Sequence, residues 1–454
     1  MATRVATIGQ VLQLQIEGLG HDGQGVGRWQ DVALFVPGAL PGERVSVRVR
    51  RLAKRHLEAD LIGVESPSSD RIRPACILAE RCGGCSLQHC SHAAQDALKT
   101  DQVVQALRRI GQLEARVDPI WPAPAALGYR NRALIPLERT VDGVLRAGYY
   151  RRGSHRIVNM NRCPVLDPRI DALIEPLKAD LETSGWPVDV NLGGGGGLRH
   201  LALRVGHHSD EVLITLVSSH PRLPGLEPLA AGWLERWPQV VGVGLNLQPK
   251  ASNVVFGPDT RTIAGRPWLQ ERFAGLELQI AADTFFQVNT PQAERLVPLL
   301  KAFFQPGADV PLLDAYCGIG TFSLPLAAAG SPVLGLELHE RSVEQANASA
   351  ARNGLGGLAR FEQADVAAVL AERLNGCAGL LLDPPRKGLS PDTVEAILQG
   401  RPAKLAYISC NPATLARDLA ALIGSGTYRL QRVQPVDFFP QTSHVECVAL
   451  LERV

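Results

Sequence analysis

Apolar and polar residues alternate in three short runs near the start of the chain, residues 11–16, 32–36 and 45–49, with glycine-rich stretches at 18–27 and 37–42 between them. Alternation of period two buries one face of a strand and exposes the other. Short strands joined by glycine turns predict a small OB-like β-barrel over residues 8–64. A loop rich in Ser, Pro and Cys follows at 66–90, and the period then changes. Across 93–110, Ala97, Val104 and Leu107 recur with charges between them, which predicts one amphipathic helix. Residues 133–204 read mostly as strands and turns. Their run of five glycines, 193–197, lacks the Lys-Ser/Thr and the following helix of a phosphate cradle, so it predicts a flexible hairpin loop. After about residue 270, apolar strands alternate with helices, the pattern of a parallel, doubly wound sheet. The most apolar long stretch, 310–338, is broken by Asp314, glycines and prolines. It reads as strand, turn, helix and strand rather than a membrane span.

At 454 residues the chain has room for roughly three domains, here expected at 1–68, 69–270 and 271–454. A composition of 45% hydrophobic and 20% charged residues excludes wholesale disorder and a coiled coil. The net charge of +2 conceals a local excess, because residues 71–170 hold 16 Lys/Arg against 8 Asp/Glu. Such a basic middle suits a polyanion contact at one place. Arg44, Arg48, Arg50, Arg51, Lys54 and Arg55 add a basic cluster on the barrel, although charge on an edge strand also serves to prevent aggregation. Residues 1–20 lack the basic start, apolar run and cleavage site of a signal peptide, so a cytoplasmic protein without a membrane partner is expected. Nine cysteines in that setting point to thiol or metal chemistry rather than disulfides.

Four constellations carry candidate chemistry. Cys76, Cys82 and Cys85 form C-x5-C-x2-C, and a remote Cys163 precedes Pro164; four thiolates of this kind could close a shell around zinc or an iron-sulfur cluster, and although the spacing matches neither the paired C-x2-C of zinc sites nor the C-x3-C-x2-C of radical-type clusters, a structural or redox iron-sulfur cluster is expected over zinc. Cys90 lies nearby as an alternative ligand, and Gly83 and Gly84 are expected to let the loop bend. Second, the run from Leu312 to Phe322 ends an apolar strand in a Gly318-x-Gly320 turn, and Glu337 follows Gly318 by 19 residues, where an acid can accept hydrogen bonds from a ribose. Ser323 stands where a dinucleotide fingerprint has its third glycine, which favours S-adenosylmethionine over a nicotinamide cofactor. Third, Asp383-Pro384-Pro385 is followed by Arg386 rather than the aromatic used in amine methylation; Arg386 and Lys387 either meet a phosphate or form a solvated loop. Fourth, Cys410 ends an apolar run before Asn411-Pro412, and Glu446 lies on the last strand; together they offer a nucleophile and a proton acceptor.

In their order along the chain these motifs resemble the RNA (uracil-5-)methyltransferase family, and within it the bacterial 23S ribosomal RNA enzymes with an N-terminal TRAM barrel and an iron-sulfur cluster. The resemblance covers nearly the whole chain, including Phe285-Phe286-Gln287-Val288-Asn289 and the segment from Pro440 to Glu446. It implies an α/β chain made of a TRAM barrel, a central α+β domain with the cluster, and a C-terminal Rossmann-like methyltransferase domain. It further implies that Cys76, Cys82, Cys85 and Cys163 hold a [4Fe-4S] cluster. Gln287, Tyr316, Thr321, Glu337, Asp365 and Asp383 would contact S-adenosylmethionine, with Cys410 as nucleophile and Glu446 as general base. The implied partner is 23S ribosomal RNA, at uridine 1939 in the usual ribosomal numbering, and the enzyme would act as a monomer. Smaller transfer RNA members of the family lack barrel and cluster, which argues against that substrate. The alternatives are another ribosomal uracil, a transfer RNA, or a silent iron-sulfur RNA-binding factor.

The RNA side fits the charge map. Arg130, Arg132, Arg139, Arg146, Arg151, Arg152, Arg156 and Arg162 are interleaved with Tyr129, Tyr149 and Tyr150, a mixture suited to phosphate pairing and base stacking.

Overall fold

The structure is a computed structural model describing residues 6–454; residues 1–5, where the expected barrel domain and the segment read for a signal peptide both begin, lie outside the described residues. Strands β1 (Val11–Leu19), β2 (Gln24–Trp29), β3 (Val32–Pro37), β4 (Arg44–Leu52) and β5 (His56–Ser66) close into a barrel in the order β1-β2-β3-β5-β4. The alternating residues Leu12, Leu14 and Ile16 and Val45, Val47 and Val49 fill its interior. Strand β2 lies within the stretch expected to be a turn. Its Gly27 is there for close approach, since a Cβ would sit 2.5 Å from the Gln15 carbonyl on the neighbouring strand. Half of the basic cluster is paired across the barrel, Arg44 with Glu65 and Arg50 and Arg51 with Glu58, so part of its charge is satisfied within the sheet.

Helix α1 (His92–Arg109) matches the expected amphipathic helix and is capped by the Ser91 hydroxyl. Its buried face differs from the one expected: Gln95, Lys99, Val103 and Leu107 point inward, and Val104 is 37% exposed. A helix face is set by what it packs against, and here the neighbour supplies polar partners.

The central part is a six-stranded sheet of β6 (Arg132–Arg139), β7 (Leu145–Ala147), β8 (Leu198–Val205), β9 (Val212–Ser218), β10 (Val240–Leu247) and β11 (Asp259–Gly265), ordered β11-β10-β9-β8-β6-β7. Helices α2 (Pro168–Thr183) and α3 (Leu226–Arg236) cover it. The 16-residue α2 lies inside the stretch expected to be strands and turns; Pro176 in its sequence masks a helix that Asp167 caps and that Ile170, Leu173, Ile174 and Leu177 anchor. The five-glycine run does not join a hairpin either. It links Val188 to Leu198 in a parallel bridge and is tied down by Asp189 and Ser219, which accept the Gly194 and Gly197 N–H groups.

A hairpin, β12 (Trp268–Phe273) and β13 (Leu276–Ala281), spans the expected division at residue 270. Helices α4 (Thr290–Glu294) and α5 (Leu296–Phe304) lead into the last sheet. It alternates β14 (Leu312–Ala315), α6 (Ser323–Ala328), β15 (Val333–Glu337), α7 (Glu340–Arg352), β16 (Ala359–Gln363), α8 (Val366–Arg373), β17 (Gly379–Leu382), α9 (Pro391–Gly400), β18 (Lys404–Ser409) and α10 (Pro412–Gly424), and closes with β19 (Tyr428–Val436) and β20 (Glu446–Arg453). The order is β16-β15-β14-β17-β18-β20-β19. The first five strands are parallel, but β20 inserts antiparallel between β18 and β19, so the sheet is mixed rather than all parallel. Among the described residues no helix is long and apolar enough to cross a membrane.

Candidate active site

Parallel strands deliver their carboxyl ends to one edge, where a doubly wound sheet binds ligands. The turn after β14 carries Tyr316 in the left-handed region (φ 70°) and then Gly318 and Gly320. Glu337, at the end of β15, accepts the Gly318 N–H at 3.1 Å and so holds that turn against the second strand. Asp383 follows β17, and Gln287 reaches it from another segment, its Nε2 donating to Oδ2 at 3.3 Å. Asn131 fixes the Gln287 segment by donating to the Gln287 carbonyl at 2.9 Å. Thr321 is buried in the same turn, and Asp365 is exposed at the end of β16, where it caps α8.

Carboxylates crowd this edge. Burial pushes Asp314 up to about 8, helped by the charges of Asp383 and Glu337 and opposed by a hydrogen bond from Ser323. Burial alone lifts Asp383 to about 7. Glu446 is raised to about 8 by burial and by Asp383, with Arg386 opposing. Acids that hold their protons in a low-dielectric site are those a bound cation would restore to the charged form. Asp314 was not singled out in the sequence, where it reads as one polar position in an apolar strand; its burial beside Ser323 marks it.

Antiparallel insertion of β20 explains how two residues far apart in the chain meet. In the β18–β20 register Ser409 lies opposite Cys447 and Ile408 opposite Val448, so Cys410 falls opposite Glu446 at the ligand edge. Cys410 also sits at the start of α10, whose first N–H groups Asn411 caps, a position where the helix dipole favours a thiolate. Burial first and the Glu446 charge second nevertheless push this thiol up to about 11, while Arg386 pulls it down. Arg386, expected to meet a phosphate or solvent, thus acts electrostatically on both members of the pair.

The cysteine loop lies between the barrel and the central sheet. Its Cys76, Cys82 and Cys85 and the remote Cys163 are free of disulfides. Leu78 N–H donates to the Cys76 sulfur and Gly84 N–H to the Cys82 sulfur, each at 3.4 Å. Cys163 lies within electrostatic reach of Cys76 and Cys85, and its carbonyl accepts the Leu166 N–H at 3.0 Å. The chain bends at Gly83 and Gly84, as expected, and Gly83 has a further role. It lets the Cys82 segment pair with the backbone at Tyr150 and Arg151, its N–H donating to the Tyr150 carbonyl at 2.8 Å. Among the described residues no group of three or more Cys, His, Asp or Glu is arranged to hold a single metal ion. Thiols whose sulfurs take backbone N–H donors, as those of Cys76 and Cys82 do, are the donor type an iron-sulfur cluster uses. Cys90 is apart from the four, buried against Leu40 and Leu87.

The arginine-aromatic surface is smaller than expected. Arg146, Arg151, Arg152, Arg156 and Arg162 are exposed, but Arg132 turns inward to donate to the Ala282 carbonyl at 3.0 Å. Tyr129 is buried with its hydroxyl on the Pro440 carbonyl, and Tyr149 packs on the central core, so neither is free to stack on a base.

Residues 269–454 match the tRNA (Uracil-5-)-methyltransferase family and residues 5–62 the TRAM domain. An uncharacterized RNA methyltransferase of Parasynechococcus marenigrum is 52% identical over 445 residues, 98% of this chain and 96% of that protein. A second, from Thermosynechococcus vestitus, is 46% identical over 444 residues, 98% of each chain. Among solved structures, the Pyrococcus abyssi tRNA (uracil-54, C5)-methyltransferase, in complex with S-adenosyl-L-homocysteine, superposes with a TM-score of 0.78 at 30% identity, over 97% of this chain and 99% of that one. The chain belongs to the RNA (uracil-5-)methyltransferase family, with a TRAM barrel joined to an S-adenosylmethionine-dependent methyltransferase fold. That membership sets aside a catalytically silent RNA-binding factor. The P. abyssi protein also shows that a tRNA-modifying relative shares this architecture almost end to end, so the argument against a transfer RNA substrate from the barrel falls.

Proposed function

We propose that this enzyme methylates C5 of uridine 1939 in 23S ribosomal RNA through a covalent adduct between Cys410 and uracil C6. The observation that carries the chemistry is the opposition of Cys410 and Glu446 across β18 and β20, at the edge where Gln287, Glu337 and Asp383 gather. Uracil C5 is too weak a nucleophile to take a methyl group from a sulfonium. The Cys410 thiolate adds to C6, forming the C6–S bond and moving the ring electrons into an enolate, which splits one difficult step into two easier ones. C5 then takes the methyl group, and the sulfonium sulfur keeps the bonding pair as S-adenosylhomocysteine leaves. Glu446 removes the C5 proton, the C–H electrons restore the C5–C6 double bond, and the Cys410 thiolate departs. Gln287, Tyr316, Thr321, Glu337, Asp365 and Asp383 bind the methyl donor, whose positive charge suits these carboxylates. The base must be single-stranded or flipped out to offer its ring face.

In this reading residues 1–68 and the exposed arginines of 69–270 grip RNA, and 271–454 carry out the transfer in the cytoplasm. The enzyme acts as a monomer in this reading. The 23S substrate rests on the order of motifs from barrel to cysteine loop to Glu446. Transfer RNA is the second reading, favoured by the full-length likeness to the P. abyssi enzyme. Tritium placed at uracil C5 decides between them: release from unmodified 23S RNA but not from transfer RNA transcripts, and only with S-adenosylmethionine, is expected. Release from transfer RNA alone would move the assignment there.

Cys76, Cys82, Cys85 and Cys163 would hold the [4Fe-4S] cluster, which when bound cross-links the two loops. The N–H donors at the Cys76 and Cys82 sulfurs support this. Anaerobically purified protein should contain iron and acid-labile sulfide in equal amounts, and Cys85→Ser should lose both; zinc in their place would refute the cluster.

A further inference from the structure

Glu446 opens β20 directly after the loop 437–445, and that loop is held from outside the methyltransferase sheet. Its centre is Gln441, which is 4% exposed and whose backbone sits in the left-handed region at φ 71°, uncommon for a residue other than glycine. It is held in a reciprocal pair with Gln95 of α1, itself 1% exposed. Gln441 N–H donates to Gln95 Oε1 at 2.8 Å, and Gln95 Nε2 donates to Gln441 Oε1 at 3.2 Å. Gln441 Nε2 reaches His92 Nε2 at 2.8 Å and the Ala126 carbonyl at 3.3 Å.

The Gln441 carbonyl faces the other way, into the segment that follows Cys85. It accepts the Ser86 N–H at 3.0 Å and the Leu87 N–H at 2.9 Å, while Ser86 Oγ accepts the Ser443 N–H at 3.1 Å. Gln95 Nε2 closes the arrangement on the Leu87 and Cys90 carbonyls. One residue therefore joins three bodies: the cysteine loop, α1 and the loop that ends in Glu446.

We propose that Gln441 is a positioning residue for Glu446, clamped by Gln95 and by the Ser86–Leu87 backbone so that the carboxylate faces C5 after methyl transfer. This rests on the reading of Glu446 as the base. Its action is on the step Glu446 performs: Cys410 is placed by β18 and α10, Tyr316, Glu337 and Asp383 stand at the ends of β14, β15 and β17, and the Gln287 segment meets the loop at Asp437 and Phe438, before Gln441, rather than at the clamp. A geometric error at a catalytic group slows only the step that group performs.

The test compares two rates in one reaction, methyl incorporation into RNA and tritium release from C5, with Gln441→Ala, Gln441→Gly, Gln95→Ala and Glu446→Gln. In both Gln441 variants release should slow about tenfold while methyl incorporation into the adduct is unchanged, so methylated protein–RNA adduct accumulates on denaturing gels. Gln95→Ala, which lies on α1 away from the reacting atoms, should shift the same ratio in the same direction, and keeps the test available if a Gln441 variant folds poorly. Affinity for S-adenosylhomocysteine should match wild type throughout. Gly relieves the left-handed backbone and removes the side-chain bonds but keeps the backbone bonds to Gln95, Ser86 and Leu87, so a wild-type ratio in both Gln441→Gly and Gln95→Ala overturns the clamp. So does a parallel fall in both rates together with the affinity. If Glu446→Gln itself accumulates no adduct, the assignment of the base fails; adduct with Glu446→Gln but with none of the clamp variants defeats the clamp alone.

Discussion

Cys410→Ala is expected to bind S-adenosylmethionine as wild type does and to lose at least about 10⁴-fold in turnover, since removing a nucleophile removes the whole covalent path. Nothing else at the sheet edge replaces it. Cys317 and Cys447 are buried thiols raised well above the ordinary range by desolvation, and Cys377 hydrogen-bonds the Arg373 carbonyl on α8. Methyl incorporation and C5 tritium release should vanish together, while calorimetric titration with S-adenosylmethionine stays unchanged. Turnover above about a hundredth of the wild-type rate would remove Cys410 from the mechanism. The wild-type pH profile carries a linked expectation. Cys410, pushed up to about 11, and Glu446, pushed up to about 8, each act after losing a proton, so raised values make the active forms scarce at neutral pH. The kcat/KM should therefore rise about tenfold or more between about pH 6 and 8. A flat profile would mean that neither ionisation limits the reaction.

Lys99→Met should be the most damaging substitution for stability. Lys99 is fully buried on α1, with Nζ donating to Asp437 Oδ1 at 2.6 Å and to the Phe439 carbonyl at 3.1 Å. Burial lowers its pKa and the Asp437 charge works against that, so the pair survives only because each charge answers the other. Truncating the cation leaves Asp437 buried at 4% exposure with its negative charge unanswered. The expected cost is about 3–5 kcal/mol, read as a lower urea midpoint. Replacing both partners by apolar residues should recover most of the loss, because the penalty comes from the orphaned charge. If Lys99→Met matches wild type in urea, the pair contributes nothing and α1 is held by its apolar contacts alone.

Both predictions bear on how the site could be read before the fold was known. Cys410, Glu337 and Asp383 stand out in the sequence because each ends an apolar run, Glu446 because it lies on the last strand, and Gln287 only through the family resemblance; the structure brings them to one edge of the last sheet. The arginine-tyrosine stretch misled. Arg132, Tyr129 and Tyr149 look in sequence like their exposed neighbours, and only packing separates a residue facing solvent from one facing the core. Helix α2 was hidden by Pro176, and β2 by glycines that resemble a turn when counted along the chain but permit close strand contact in space. Gln95 and Lys99 were hidden because polar residues on a helix normally face water. Here they face the Glu446 loop, whose carbonyls and Asp437 make burial tolerable.

What the sequence by itself determined is local: the period-two barrel strands, the alternating strands and helices of the last sheet, the turn residues, and the kinds of side chain that thiol addition and proton removal require. These follow from spacing along a few consecutive residues, where backbone geometry is nearly fixed. The tertiary structure alone decided which of those residues meet. Cys410 and Glu446 are 36 positions apart and become neighbours because β20 returns antiparallel beside β18. Gln441 and Gln95 are separated by 346 positions and pair because α1 packs against the loop before β20. Contacts of that kind depend on the register and burial of whole elements, which are settled only when the core closes.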